Sequence, residues 1–268
     1  MDTFVKERAD APKGFFEAEA AGLRWLADAG GARIAQVIGA SAGRIELERI
    51  TPARPTADAA KGFGRALART HAAGAQTFGA PPDGWDGPLY IGRREMPRVT
   101  DASWGRFYAH GRVLPYLEPA LSAGHLRESE AAVVREACTV VADNTFDDDA
   151  PPARIHGDLW SGNVLFSPDG VALIDSAAHG GHAETDLAML ALFGAPHLDA
   201  ILAGYQEVSP LREGWQARVP LHQLHPLAVH AAGHGRAYGV ELAEAARAVL
   251  ALAPCTELSY RPHSDSEV

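Results

Sequence analysis

The chain has 268 residues, of which 47% are hydrophobic and 22% charged, and a formal net charge of −10. That balance suits a globular chain with ample core material. The negative charge, with no basic run to offset it, argues against nucleic acid as a partner, and no apolar stretch approaches the length that spans a bilayer, so no membrane partner is expected.

Thr3 to Lys6 reads as a strand, and Asp10 and Pro12 open a helix with Phe16, Ala20, Leu23 and Leu26 at helical spacing. Gly30 and Gly31 stop it. Two short strands follow, Ala35 to Ile38 and Arg44 to Ile50. Thr56 then caps a helix bearing Phe63, Leu67 and His71 on one side. Gly79 to Gly92 is a long loop of the kind that tends to carry function.

Helices are expected at Ser103–Ala123 and Ser129–Asp143. The acidic run Asp147 to Asp149 reads as a solvated loop. Short strands follow at Arg154–Ile155, Val164–Phe166 and Val171–Ile174, the last two joined by the turn Ser167-Pro168-Asp169-Gly170. Glu184 to Ala253 is mostly helical, and the polar tail after Pro254 reads as loose. Cys138 and Cys255 are too few for a disulfide framework and lack metal-ligand spacing, which fits a reducing cytoplasm.

The chemistry concentrates in His156-Gly157-Asp158-Leu159-Trp160-Ser161-Gly162-Asn163, followed by Leu173-Ile174-Asp175. Alone, either half reads as a capped turn or a strand end. In order, around a hairpin, they supply what phosphoryl transfer needs. Asp158 can accept the proton of an attacking hydroxyl, while Asn163 and Asp175 offer hard oxygen ligands for Mg2+ bridging phosphates. Positioning and charge neutralisation then carry most of the rate.

This segment resembles the catalytic loop of the aminoglycoside phosphotransferase and protein-kinase-like superfamily, and its tryptophan resembles the fructosamine kinase (ketosamine 3-kinase) family in particular. Further likenesses lie in Phe4-Val5-Lys6, in Phe15 to Leu23, in Trp104-Gly105-Arg106-Phe107-Tyr108 with Arg112, and in Gly181 to Met189. The resemblance implies an α+β, bilobal fold, with a small N-terminal sheet-plus-helix lobe (1–50) binding ATP and a larger, mainly helical lobe (51–268) carrying catalysis.

It implies that Lys6 contacts the α- and β-phosphates, paired with Glu19. Glu17 is the rival partner, and Glu19 is preferred because it lies nearer the Phe15, Phe16, Leu23 and Leu26 side of the wheel. It implies that main-chain groups around Glu48 and Ile50 meet adenine, and that Asp186 supports the catalytic loop, where the plain reading is a helix N-cap. Trp160 reads equally as a wall of a sugar pocket or as a packed core residue. The implied partners are ATP and a ketosamine, either a small molecule or a glycated protein. Phosphorylation at the sugar O3 makes the adduct unstable and releases the amine, a deglycation repair.

Two departures stand out. The resemblance implies two further strands ahead of the lysine strand, carrying a loop over the phosphates, so either translation starts upstream of Met1 or this lid is absent. Ser176 follows Asp175 where relatives often have proline. Two other readings compete: a phosphotransferase for an aminoglycoside or another small acceptor, and a silent nucleotide-binding protein, motivated by the absent lid. His222, His225, His230 and His234 share helical spacing, but with no carboxylate evident nearby they read as core or surface histidines.

Overall fold

A computed structural model describes residues 2–254; Cys255 and the tail after Pro254 lie outside the described residues. The first elements are β1 (Thr3–Glu7), α1 (Phe15–Asp28), β2 (Arg33–Ile34), β3 (Val37–Ser41) and β4 (Arg44–Glu48). β1, β4 and β3 form an antiparallel sheet with β4 in the centre. Alternation along β4 buries Ile45 and Leu47. α1 lays Phe16, Ala20, Leu23 and Leu26 against them, so one apolar stripe and one strand face close the first layer.

α2 (Ala57–Ala72) begins where expected. The Thr56 hydroxyl accepts from the Ala59 N–H at 3.2 Å and satisfies an otherwise orphaned donor. The loop after α2 ends in the hairpin of β5 (Leu89–Ile91) and β6 (Arg94–Met96).

The helix expected at Ser103–Ala123 is broken into α3 (Trp104–Phe107), a π-helical segment Tyr108–Val113, a 3-10 turn Leu114–Tyr116 and α4 (Leu117–Ser122). Pro115 has no N–H to offer the Gly111 carbonyl. The Arg112 guanidinium donates to that carbonyl instead, at 2.9 Å. α5 (Glu128–Ala142) follows.

The acidic run is more engaged than a solvated loop. Asp147 accepts from the Gly105 N–H at 3.0 Å, and Asp148 lies 3.3 Å from His182 and 3.4 Å from Arg212.

β7 (Ala153–Ile155) leads to the hairpin of β8 (Val164–Ser167) and β9 (Gly170–Leu173), whose turn is held by Ser167 Oγ donating to Gly170 O at 2.9 Å. β2 pairs in parallel with β9, so the N-terminal segment is stitched to this hairpin. β10 (His179–Gly181), which the sequence does not announce, pairs antiparallel with β7.

α6 (Ala183–Leu192), α7 (Leu198–Gln206), α8 (Trp215–Gly233) and α9 (Arg236–Leu252) complete the described residues. One apolar core joins α1, β4, α2, β8, β9, α6 and α7; a second joins the β5–β6 hairpin, α5, α8 and α9.

The histidines of α8 have a carboxylate neighbour after all. Glu184 lies 3.5 Å from His222 Nε2, but it is held by Arg218 at 2.6 and 3.1 Å.

Candidate active site

β7 delivers the chain to His156, and the next residues turn sharply. Gly157 has φ +80°, and a Cβ there would lie 2.4 Å from the Ala177 carbonyl, so both conformation and space require glycine. The turn is pinned from below by Asp186, which is fully buried in the first turn of α6. Its carboxylate accepts from the N–H of His156 at 2.7 Å and of Gly157 at 3.0 Å. The helix cap proper is His182, so the plain N-cap reading of Asp186 is replaced by a clamp on the loop backbone.

His71 Nε2 donates to the same carboxylate at 3.0 Å, and Tyr205 Oη donates to His71 Nδ1 at 2.9 Å. Burial works against the Asp186 charge, but His71 and the loop N–H groups outweigh it and hold the carboxyl below its usual range. His156 ties the loop to the hairpin: Nε2 donates to Ile174 O at 2.8 Å, and Nδ1 accepts from the Asp158 N–H at 3.3 Å. Burial lowers its pKa and keeps the ring neutral, as that pattern of one donor and one acceptor demands.

Asp158, Asn163 and Asp175 come together. Asn163 Nδ2 donates to Asp158 O at 2.8 Å, to Asp158 Oδ2 at 3.2 Å and to Asp175 O at 3.4 Å. Asp175 leaves the end of β9 in the left-handed region, φ +56°, and its side chain meets the Lys6 ammonium. Lys6 also pairs with Glu19 Oε1 at 2.7 Å, so strand, helix and hairpin meet at one cation. Glu17 takes no part in the pair.

Burial alone would depress Lys6, but Glu19 and Asp175 raise it above its ordinary value. Burial pushes Asp158 up to about 7; the Asn163 amide opposes this, while the Asp175 and Asp186 carboxylates add to it.

Lys6, Glu19, Asp158, Trp160, Asn163 and Asp175 all line one cavity of about 820 Å³. It meets a second space of about 250 Å³, which shares Lys6 and Asp175 and is walled by Phe4, Leu47, Leu165 and Ile174. Glu48 and Ile50 border that slot. Glu48 has its N–H bonded to Gln36 O at 2.8 Å and its carboxylate to Arg33 at 2.6 Å, whereas Ile50 makes no main-chain hydrogen bond among the described residues. A group in the slot would therefore find the main chain of Ile50 free and the N–H of Glu48 already taken.

The residues present suit a hard cation. With its amide nitrogen committed to Asp158, Asn163 keeps its carbonyl oxygen for a ligand, and Asp175 adds a carboxylate. Among the described residues no group of three His, Cys, Asp or Glu side chains could hold a metal, so Asn163 and Asp175 would supply only part of a cation's shell.

Trp160 is 41% exposed, and its ring packs edge-on against Phe193 at 6.2 Å between centroids. The indole also lies across Gly162, where a Cβ would meet it at 2.2 Å. Trp160 is thus a cavity wall and not a core residue. Trp104, by contrast, is buried against Tyr108 and His222 and does not line the cavity.

Sequence reasoning gave no role to His71 or Tyr205, and it read Gly79 to Gly92 as a long functional loop without foreseeing that its end forms the β5–β6 hairpin. A signal existed for His71, a polar residue on the apolar side of α2.

The profile described as "Fructosamine kinase" matches residues 1–252. A protein of Enterococcus faecium named "probable ketoamine kinase" is 28% identical over 242 residues, covering 89% of this chain and 84% of its own. Its namesake in Synechocystis is 32% identical over 232 residues, covering 85% and 76%. A solved structure of a fructosamine-3-kinase candidate from Thermobifida fusca superposes with a TM-score of 0.87 at 47% identity, covering 93% of this chain and 85% of that one. An aminoglycoside phosphotransferase shares the protein-kinase-like fold at 16% identity and a TM-score of 0.56, covering 93% and 86%.

Proposed function

Since the chain belongs to the fructosamine kinase family, we propose that it phosphorylates a sugar hydroxyl of ketosamines, with Asp158 as the base. The chain is a kinase that moves the ATP γ-phosphate to an alcohol; the ketosamine acceptor, and the release of its amine as a cytoplasmic repair, are the finer part of this reading. The observation that carries it is the convergence of Lys6, Glu19, Asp158, Asn163 and Asp175 on one cavity continuous with an apolar slot.

Adenine lies in the slot, between the N-terminal piece ending near residue 50 and the remainder, against Leu47, Leu165 and Ile174, with the Ile50 main chain as its polar contact. Lys6, positioned by Glu19, turns its ammonium from Asp175 to the α- and β-phosphates. Asn163 and Asp175 hold Mg2+, which when bound neutralises charge on the phosphate oxygens. Asp158 takes the proton of the attacking hydroxyl and aims that oxygen along the line of displacement. A carboxylate raised to about 7 is matched to this task near neutral pH. Exposed Trp160 supplies an apolar face and an N–H to the sugar.

ADP release with MgATP decides the acceptor. Fructosyl-lysine is expected to turn over and an aminoglycoside panel not to; aminoglycoside turnover without fructosyl-lysine turnover overturns the reading.

A further inference from the structure

The end of the cavity away from Lys6 is built differently from the phosphate end. Its acidic lining residues, Glu19, Asp158 and Asp175, all belong to the phosphate end. The far wall is the tip of the β5–β6 hairpin, where Gly92 and Arg93 form a two-residue turn between the paired Ile91 and Arg94. Arg93 and Arg94 both line the cavity, as do His230 and His234 at the end of α8.

Neither arginine has a carboxylate within 4.0 Å among the described residues, in a chain whose net charge is −10. Arg8, the third arginine of the lining, is paired with Asp10 at 3.0 Å. Glu95 stands across the hairpin from Tyr90, and Glu17 also faces Tyr90.

Arg94 is half-buried, and its orientation is set. One Nη2 proton goes to the Ala232 carbonyl, the sort of contact a cation makes at a helix C-terminus. The guanidinium rests on Gly233, where a Cβ would stand 3.4 Å from Nη2 and 3.6 Å from Nε. A guanidinium has five N–H groups in a planar fork, and one carbonyl uses a single one of them. The rest form a pre-oriented donor set, bridging hairpin and α8 at the rim of the acceptor space.

We infer that this rim selects ketosamines whose amine part carries a carboxylate, as in an amino-acid adduct, and that Arg94 receives that carboxylate with Arg93 adding charge. The inference rests on the ketosamine reading above. The sugar lies at Asp158 and Trp160, and the substituent on nitrogen points away from the phosphates toward the hairpin tip. A carboxylate there completes a charge-assisted pair at Arg94 that no protein group supplies, whereas Arg93 already feels Asp10 from beyond 4.0 Å. A neutral substituent of the same size leaves the guanidinium without it.

The test compares fructosyl-glycine with fructosyl-glycinamide, which differ in charge and hardly in size. Wild-type kcat/KM is expected to favour the acid roughly ten- to a hundredfold, the strength of a hydrogen-bonded charge pair, and mostly through KM. Arg94→Gln should collapse that ratio, and Arg94→Lys should restore part of it, since lysine keeps the charge but not the fork. If Arg94 merely capped α8, its loss would affect both compounds alike and leave the ratio intact, and that result overturns the inference. Equal wild-type turnover of acid and amide overturns it alone. Turnover of neither while fructosyl-lysine is turned over overturns this inference alone; if fructosyl-lysine fails as well, the ketosamine reading falls with it.

Discussion

At the scale of single residues, the proposed base is a carboxylate whose environment is made by neighbours from distant parts of the chain. Asp158 is raised to about 7 by burial, and its backbone is fixed through His156 and Gly157 by the buried Asp186. Asp158→Asn keeps the shape and removes the proton acceptor, so phosphoryl transfer should fall roughly 10²- to 10⁴-fold. Binding of a nucleotide analogue, followed by fluorescence or calorimetry, should persist; unimpaired turnover would refute the base assignment. The triplet Asp158, Asn163 and Asp175 could be read from the chain because its spacing is local: a five-residue loop, then a hairpin. The clamp beneath it could not. His71 and Tyr205 reach Asp186 from 115 residues upstream and from α7, and each looks like an ordinary helical residue in its own segment.

At the scale of elements, the ones that follow from the sequence have strong local signals. Thr56 caps α2, the four-residue turn at Ser167 sets the β8–β9 hairpin, and α1 carries an unbroken apolar stripe. Those that do not follow depend on partners. β10 is three residues containing two glycines and exists because β7 lies beside it; β2 is two residues long and pairs across 139 positions with β9. The π-helical segment likewise reflects an Arg112 that replaces the missing Pro115 donor.

Glycines in helices belong to this level too. Gly64 of α2 and Gly204 of α7 face each other's backbone: a Cβ at Gly64 would meet Ile201 O at 2.0 Å, and one at Gly204 would meet Lys61 O at 2.0 Å. Alanine has the better helix propensity by about 1 kcal/mol, but a backbone carbonyl cannot yield as a flexible side chain can. Gly64→Ala should therefore destabilise the fold by about 1–3 kcal/mol, read from the midpoint of urea unfolding. A midpoint at or above wild type would show that the helices separate without cost.

Over the whole molecule, the buried histidines set the response to acid. Burial lowers His156 and His179, takes His222 to about 4 despite Glu184, and takes His225 to about 3. In the unfolded chain all four bind protons near pH 6.5, so between that value and the folded ones the unfolded state holds more protons. Stability should therefore fall as pH drops from 7 toward 4, by about 1.4 kcal/mol per unit for each histidine in its window. Asp158, raised to about 7, and Glu19, also raised by burial, work in the opposite direction, while His230, lowered by burial too, adds to the four. Glu184, which burial would raise but His222 and Arg218 hold at about 2, withdraws its contribution only below the ordinary carboxylate range. Urea midpoints at pH 7 and pH 5 check the sign, and an unchanged midpoint would contradict it.

The sequence by itself brought an acid, an amide and a second acid together around a turn, and its family resemblance added a lysine strand far upstream. It could do so because side chains one hairpin apart meet whatever the rest of the chain does. Only the tertiary structure decided that Lys6 bridges Glu19 and Asp175, that Trp160 faces the cavity while Trp104 is core, and that Arg93 and Arg94 line that same cavity. Those facts rest on burial and charge pairing between distant segments, and neither is set until the segments pack.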